Sequence, residues 1–415
     1  MPSLLHAPTR REILLGCGTL FAWAYAPKLA RAEGRDPRFL VLVLRGALDG
    51  LALAAPVGDP DWLKLRGDNA LALDGKPSAL PLDSFFALNP AMPNLYRLYR
   101  AEQAIIFHAT ATPYRERSHF DGQDVLESGL TKPGASDSGW LNRALTLLAP
   151  DERVNPLGSK AFAVGPVTPL VVRGSAPVMS WVPQYLLPAS DDTQARLLEL
   201  YRHTDLKLAR ALEGRKDLIA VARSAAMDTM EPQDQPTAIG MARVREYFAD
   251  ASGAAAKYLA SPDGPRVGAL SLFGWDTHVN EGAATGQLAG FLGALDGAVA
   301  AIEHSMGAAW SETVVALVTE FGRTARVNGT NGTDHGTGTV AVLVGGALKG
   351  GRVIADWPGL KPASLYEDRD LAPTTDLRAV MKGVLKDHLR LDDAALAATV
   401  FPESRDVKPI AGLLA

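Results

Sequence analysis

The sequence predicts an α/β fold with a largely parallel central sheet and helices on both faces. Three observations predict it: apolar runs of strand length recur along the chain, segments of helical periodicity separate them, and polar residues stand where the runs end. Ligands on such a sheet gather at the carboxyl ends of its strands.

The first run, RFLVLVLRGALDG from Arg38, is continuously apolar and closes on a Gly and Asp turn, the form of a strand buried on both faces. NLYRLYRAEQ reads as a helix leading into the second run, AIIFHAT (Ala104 to Thr110). LARALEGRKDLIAVARSAA and AIGMARVREYFADASGAAAKYLA have helical spacing and precede the third, VGALSLFGWDTH (Val267 to His278). GQLAGFLGALDGAVAAIEHSM is the helix before the fourth, TVVALVTEF (Thr313 to Phe321). TVAVLVGGAL follows as an edge or return strand, and DLRAVMKGVLKDHLRL is a closing helix. VGPVTPLVVRGSAPVMSW (Val164 to Trp181), broken by Pro and Gly, reads as a hairpin or lid outside the main sheet. Residues 131–265 are expected to form an insertion or cap on a domain spanning 33–415.

With 415 residues, 47% of them hydrophobic and 21% charged, the chain can bury a large core. Its formal charge of -4 comes without a long basic run, which sets nucleic-acid partners aside. At the N-terminus, TRREIL places Arg10 and Arg11 before the uncharged stretch Ile13 to Pro27, and Ala30-Arg31-Ala32 supplies small residues for cleavage. Residues 1–32 read as a twin-arginine signal that engages the twin-arginine translocase, giving a periplasmic or secreted protein. The apolar stretch is shorter than the ~20 residues of a spanning helix, so no stable membrane span is expected after cleavage. The single cysteine, Cys17, lies within this segment, so cleavage leaves no disulfide framework.

Asp49 closes the first run, Asp276 and His278 the third, and Glu320 the fourth, while His335 stands before the fifth. Carboxylates and imidazoles converging on one sheet edge need a cation to offset their repulsion, and this residue mix suits Zn²⁺, Mn²⁺ or Mg²⁺. Asp276-Thr277-His278 taken alone also fits a turn with a capping Asp. The stretch TATPYRERSHFDGQD offers hydroxyls on Thr110, Thr112 and Ser118 and basic groups on Arg115, Arg117 and His119. Either Ser118 is the N-cap of a helix with Asp121 in its first turn, or Ser118 or Thr112 is a metal-activated nucleophile with Arg115 or Arg117 on an oxyanion. Arg323 is placed to neutralise carboxylates or bind substrate. His108, inside an apolar strand, is expected as a satisfied core histidine. His203, His304 and His388 read as surface residues, and Trp275 fits either a site wall or the core.

Taken together and in order, LRGALDG, RSHFDGQD, GWDTH, TEFGRT, TDHGT and APTTDLR resemble the bacterial domain-of-unknown-function 1501 family over nearly the whole mature chain. That family is similar to the alkaline phosphatase and sulfatase superfamily, a three-layer sandwich with metal ligands at the sheet's carboxyl edge. The resemblance implies metal ligation by Asp49, Asp276, His278, Glu320 and His335, and a nucleophile near Ser118, with Arg117 and His119 beside it. It also implies that Asp334 holds His335 by accepting a hydrogen bond from its ring instead of binding metal itself. Phe321 stands where the superfamily has a histidine, which implies one metal instead of two, or none. Ala111 in ATPYR replaces the modified residue of sulfatases and excludes formylglycine chemistry. The expected function is exported metal-dependent hydrolysis of a small-molecule or polymer phosphate, sulfate or related ester. The alternative is a non-catalytic periplasmic binding or assembly protein on the same scaffold.

Overall fold

The computed structural model describes residues 35–148, 159–164, 168–181, 198–199, 201–202, 240–262 and 264–415. The signal-like segment 1–32, the helix expected over 208–226 and His203 lie outside the described residues. Among the described residues nine strands form the main sheet: β1 (Arg38–Arg45), then β5 (Ala104–Ala111), β6 (Ala161–Val164), β7 (Val178–Trp181), β8 (Val267–Phe273), β9 (Thr313–Val318), β10 (Thr339–Val344), β11 (Arg352–Ile354) and β12 (Thr375–Asp376). A small antiparallel sheet holds β2 (Ala54–Ala55), β3 (Leu80–Pro81) and β4 (Ala87–Leu88). Across the main sheet the order is β11-β5-β10-β9-β1-β8-β6-β7, with β12 beside the end of β5. Every pairing is parallel except those of β10, which runs against both β5 and β9.

β1 shows why the run had to be apolar throughout. Leu40, Leu42 and Leu44 enter one core, with α3 (Pro93–Arg100), α6 (Met241–Ala260) and α7 (Gln287–Met306). Phe39, Val41 and Val43 enter the other, with α5 (Trp140–Leu147) and α8 (Leu377–Asp387). Successive side chains on a strand point to opposite faces, so a layer of helices on each side leaves no solvated position. The architecture is the expected three-layer sandwich.

Three expectations change. β7, within the Val164–Trp181 segment expected as a hairpin or lid, pairs in parallel with β6, and the two extend the main sheet beyond β8. Pro and Gly punctuate the link between them, which passes through a short 3-10 turn at Leu170–Val172. β6, β7, α5 and α6 all lie within residues 131–265. β10 is a return strand but an internal one, held between β5 and β9. His388, expected at the surface, is buried, with Nε2 hydrogen-bonded at 2.9 Å to the Arg38 carbonyl. His304 is exposed as expected, and Trp275 belongs to the core beside Phe248 and Phe291.

His108 is the core histidine the sequence suggested. Its Nε2 donates to the Ala54 carbonyl at 2.8 Å, and its ring stacks on Phe86 at 5.1 Å. Burial pushes its pKa down to about 4. The unfolded chain titrates this group near pH 6.5, so unfolding takes up a proton between those values. The resulting stabilisation is complete above about pH 6.5 and is lost as the pH falls to about 4. Urea unfolding at pH 7.5 and 5 is expected to show wild type losing about 2 kcal/mol more across that interval than His108→Phe. Equal losses in the two proteins would count against a neutral buried ring.

Candidate metal centre at the carboxyl edge of the sheet

Because β1, β5, β8 and β9 run the same way, their carboxyl ends share an edge, and antiparallel β10 begins there. The residues after β5 lead to α4 (His119–Ser128), whose first residue is His119. Asp276 and His278 follow β8, Glu320 follows β9, and His335 precedes β10. The segment 319–339 folds back on itself: Gly322 N donates to the Thr337 carbonyl, Gly336 N to the Gly322 carbonyl, and Arg323 forms a β-bridge with His335. A Cβ on Gly336 would stand 2.5 Å from the Arg323 backbone, so this closure needs glycine there. At Gly46, with φ 121°, a Cβ would stand 2.7 Å from the Asp276 backbone nitrogen.

His119, Asp276 and His335 each offer a ligand atom within 4.8 Å of the others. Asp276 Oδ1 lies 3.1 Å from His335 Nε2, 2.9 Å from His278 Nε2 and 2.7 Å from Arg323 Nη1. The Nε2 atoms of His278 and His335 are 3.0 Å apart. Each ring is held by its other nitrogen. His119 Nδ1 is 2.9 Å from Glu320 Oε1, His335 Nδ1 is 3.0 Å from the Arg117 carbonyl, and His278 Nδ1 is 3.5 Å from Asp334 Oδ1. All three partners are acceptors, so each Nδ1 carries a proton and each ring turns its Nε2 toward the cluster. His119 Nε2 is buried with no hydrogen-bond partner, 3.5 Å from Asp276 Oδ2.

The site is therefore rich in acceptors. The carboxylates of Asp276 and Glu320 push the His119 pKa up to about 9, so without a metal ion a proton stands in for a cation there. Burial works to raise the pKa values of Asp276 and Glu320, but their donors outweigh it and hold both carboxyls below the usual range. Phe321 lines the floor, stacked on His119 at 5.1 Å and tilted against His335 at 5.2 Å.

The other sequence candidates are employed differently. Asp49 is not brought to the cluster: it forms a two-point ion pair with Arg66 and caps α1 (Gly50–Leu53) through the amides of Leu51 and Ala52. Glu320 lies behind His119 and accepts from Gly46 N, Gln123 and Thr319 as well. Arg117 pairs with Glu367 and Asp370, leaving its carbonyl as its contact with the site. Arg115 donates to the Thr112 and Tyr114 carbonyls. Asp334 does not hold His335; it accepts from Asn328 at 3.1 Å and faces His278. Arg323 is buried, clamping Asp276 and donating to Thr333 through Nε and Nη2. Ser118 occupies the N-cap position of α4, yet its side chain makes no cap hydrogen bond.

Sequence reasoning missed Gln123, Thr333 and Glu281. Gln123 had a signal: it lies four residues after His119, on the same helix face, and both reach Glu320. Glu281, buried and pushed up to about 7 by burial and by the charge of Asp49, follows His278 by only three residues in what reads as an ordinary loop.

Fold and site define a class: a three-layer α/β protein carrying a histidine and carboxylate cluster at the carboxyl edge of a mainly parallel sheet. The chain belongs to the DUF1501 family, described as proteins of unknown function, whose model matches residues 102–400. No curated protein matches its sequence. Among solved structures it is similar to the phosphonate monoester hydrolase of Agrobacterium radiobacter, with 11% identity and a TM-score of 0.36 over 85% of this chain and 73% of that one. A protein in the alkaline phosphatase superfamily from Vibrio parahaemolyticus matches at 10% and 0.33, over 75% of this chain and 60% of that one. PsFucS1 sulfatase from Pseudoalteromonas sp. matches at 12% and 0.33, over 83% and 68%. Overlaps this loose transfer no role to any residue, so the chemistry is read from this chain's own side chains. Among the described residues no helix is long and apolar enough to cross a membrane.

Proposed function

We propose that this chain is an exported, metal-dependent hydrolase acting on a phosphate, sulfate or related ester. The observation that carries the reading is the buried, partnerless Nε2 of His119, aimed at Asp276 while Glu320 fixes the other side of the ring. A metal ligand with its second nitrogen held by a carboxylate has this arrangement. His119, Asp276 and His335 would hold one ion with His278 as the fourth ligand, and three imidazoles with one carboxylate favour Zn²⁺ or Mn²⁺ over Mg²⁺. Bound there, such an ion supplies a Lewis acid for an ester oxygen. The uncapped amino end of α4 offers backbone N–H groups to an anion beside it. Ser118, whose hydroxyl is not spent on capping, is the nucleophile we assign. Export rests on the twin-arginine pattern of residues 1–32.

Arg115 and Arg117 are both committed to internal contacts, and this favours one second reading, a binding protein that keeps the metal and lacks turnover. Metal analysis of purified protein, with a screen of phosphate and sulfate monoesters, separates the two. Wild type is expected to carry about one divalent ion per chain, His335→Ala to lose it, and Ser118→Ala to keep the ion and lose turnover by a factor of about 10³ or more. Metal retained without turnover of any ester would support the binding protein. No metal in wild type, or unchanged content in His335→Ala, would sink both.

A further inference from the structure

One buried acid under the cluster has no part in ligation. Glu281 is 1% exposed, and each of its oxygens meets one threonine hydroxyl. Thr277, whose Oγ1 is 2.7 Å from Oε1, sits between Asp276 and His278. Thr333, whose Oγ1 is 2.8 Å from Oε2, comes two residues before His335. We infer that Glu281 is a positioning residue, a single carboxylate that locks together the two loops bearing Asp276, His278 and His335.

The directions of the bonds support this. Arg323 Nε donates to Thr333 Oγ1 at 3.0 Å, so the Thr333 hydroxyl keeps its own hydrogen for Glu281. The same guanidinium donates through Nη1 to Asp276 Oδ1 at 2.7 Å, which continues the chain from Glu281 through Thr333 and Arg323 to a ligand oxygen. Thr277 closes the ring from the other side, and Thr333 N reaches the Thr277 carbonyl at 3.3 Å. Two hydroxyls donating at opposite oxygens require a group that accepts at both. A carboxylate does so, whereas a glutamine of the same shape presents an NH₂ to one of them. A brace serving the fold alone has no need to end on Asp276.

The inference rests on the metal reading for its effect on affinity, and the test separates the two. Zn²⁺ affinity is measured by competition with a chromophoric chelator for wild type, Glu281→Gln, Thr333→Val and Thr333→Ser. The dissociation constant is expected to rise about tenfold or more in Glu281→Gln and Thr333→Val, and to stay within about twofold in Thr333→Ser, which keeps the hydroxyl. In the metal-free proteins, the imidazole NMR resonances of His278 and His335 are expected to move in the first two variants and return in the third. Lower melting temperatures with affinity and resonances unchanged would reduce Glu281 to a structural residue and overturn the proposal. If wild type binds no Zn²⁺, the metal reading falls and the two histidine resonances decide the brace alone. Should Glu281→Gln fail to fold, the threonine pair still decides it.

Discussion

Asp49→Ala is expected to destabilise the chain by about 3–5 kcal/mol while leaving its metal content unchanged. Asp49 and Arg66 are each 1% exposed on their side chains, and the guanidinium meets the carboxylate at both oxygens. Removing the acid strands a cation where water cannot reach it, and the remaining contacts of Arg66, to the Ala325 and Thr324 carbonyls, do not neutralise it. The loss of the α1 cap adds about 1 kcal/mol in the same direction. Urea unfolding measures the first expectation and metal analysis of the folded fraction the second. If folded Asp49→Ala lost its metal, Asp49 would be a ligand after all, as its place at the end of β1 first suggested.

The case of Asp49 shows which link of the argument a sequence can carry. The apolar runs exposed the strands because burial on both faces leaves no polar alternation, and strand ends in a parallel sheet must share an edge. That much brought Asp276, His278, Glu320 and His335 to one place. It could not separate ligands from supports, because support is decided by tertiary partners. Asp49 is claimed by Arg66, and His119 is turned inward by Glu320, from 201 positions away. Arg117 looked like an oxyanion binder until Asp370 and Glu367 took up its charge. β6 and β7 were hidden for a related reason: each is four residues long and is held by parallel pairing with distant chain, so local Pro and Gly dominated the signal. His388 sits among charged residues in sequence, and its burial comes from tertiary contact, the ring meeting the Arg38 carbonyl of β1.

Glu320→Gln is expected to weaken metal binding by about 10–100-fold with the fold retained. Glu320 is fully buried, and Gly46 N, His119 Nδ1 and Gln123 Nε2 all converge on its Oε1, at 2.9, 2.9 and 3.1 Å. A glutamine keeps an oxygen at that position if its NH₂ turns toward Thr319, whose hydroxyl also reaches the Leu44 carbonyl at 2.7 Å and so has a lone pair to offer. Geometry then survives, and what is lost is the negative charge behind the His119 ring. An imidazole backed by a neutral amide is a weaker donor to a cation than one backed by a carboxylate, so affinity falls without the ligand set changing. Glu320→Ala goes further, leaving three donors unpaired in a dry pocket, and should cost stability as well as affinity. Chelator competition on both variants, with melting temperatures beside it, reads the two effects separately. Wild-type affinity in Glu320→Gln would mean that His119 does not ligate or that its tautomer is set by something other than Glu320, and the observation on which the metal centre chiefly stands would be gone.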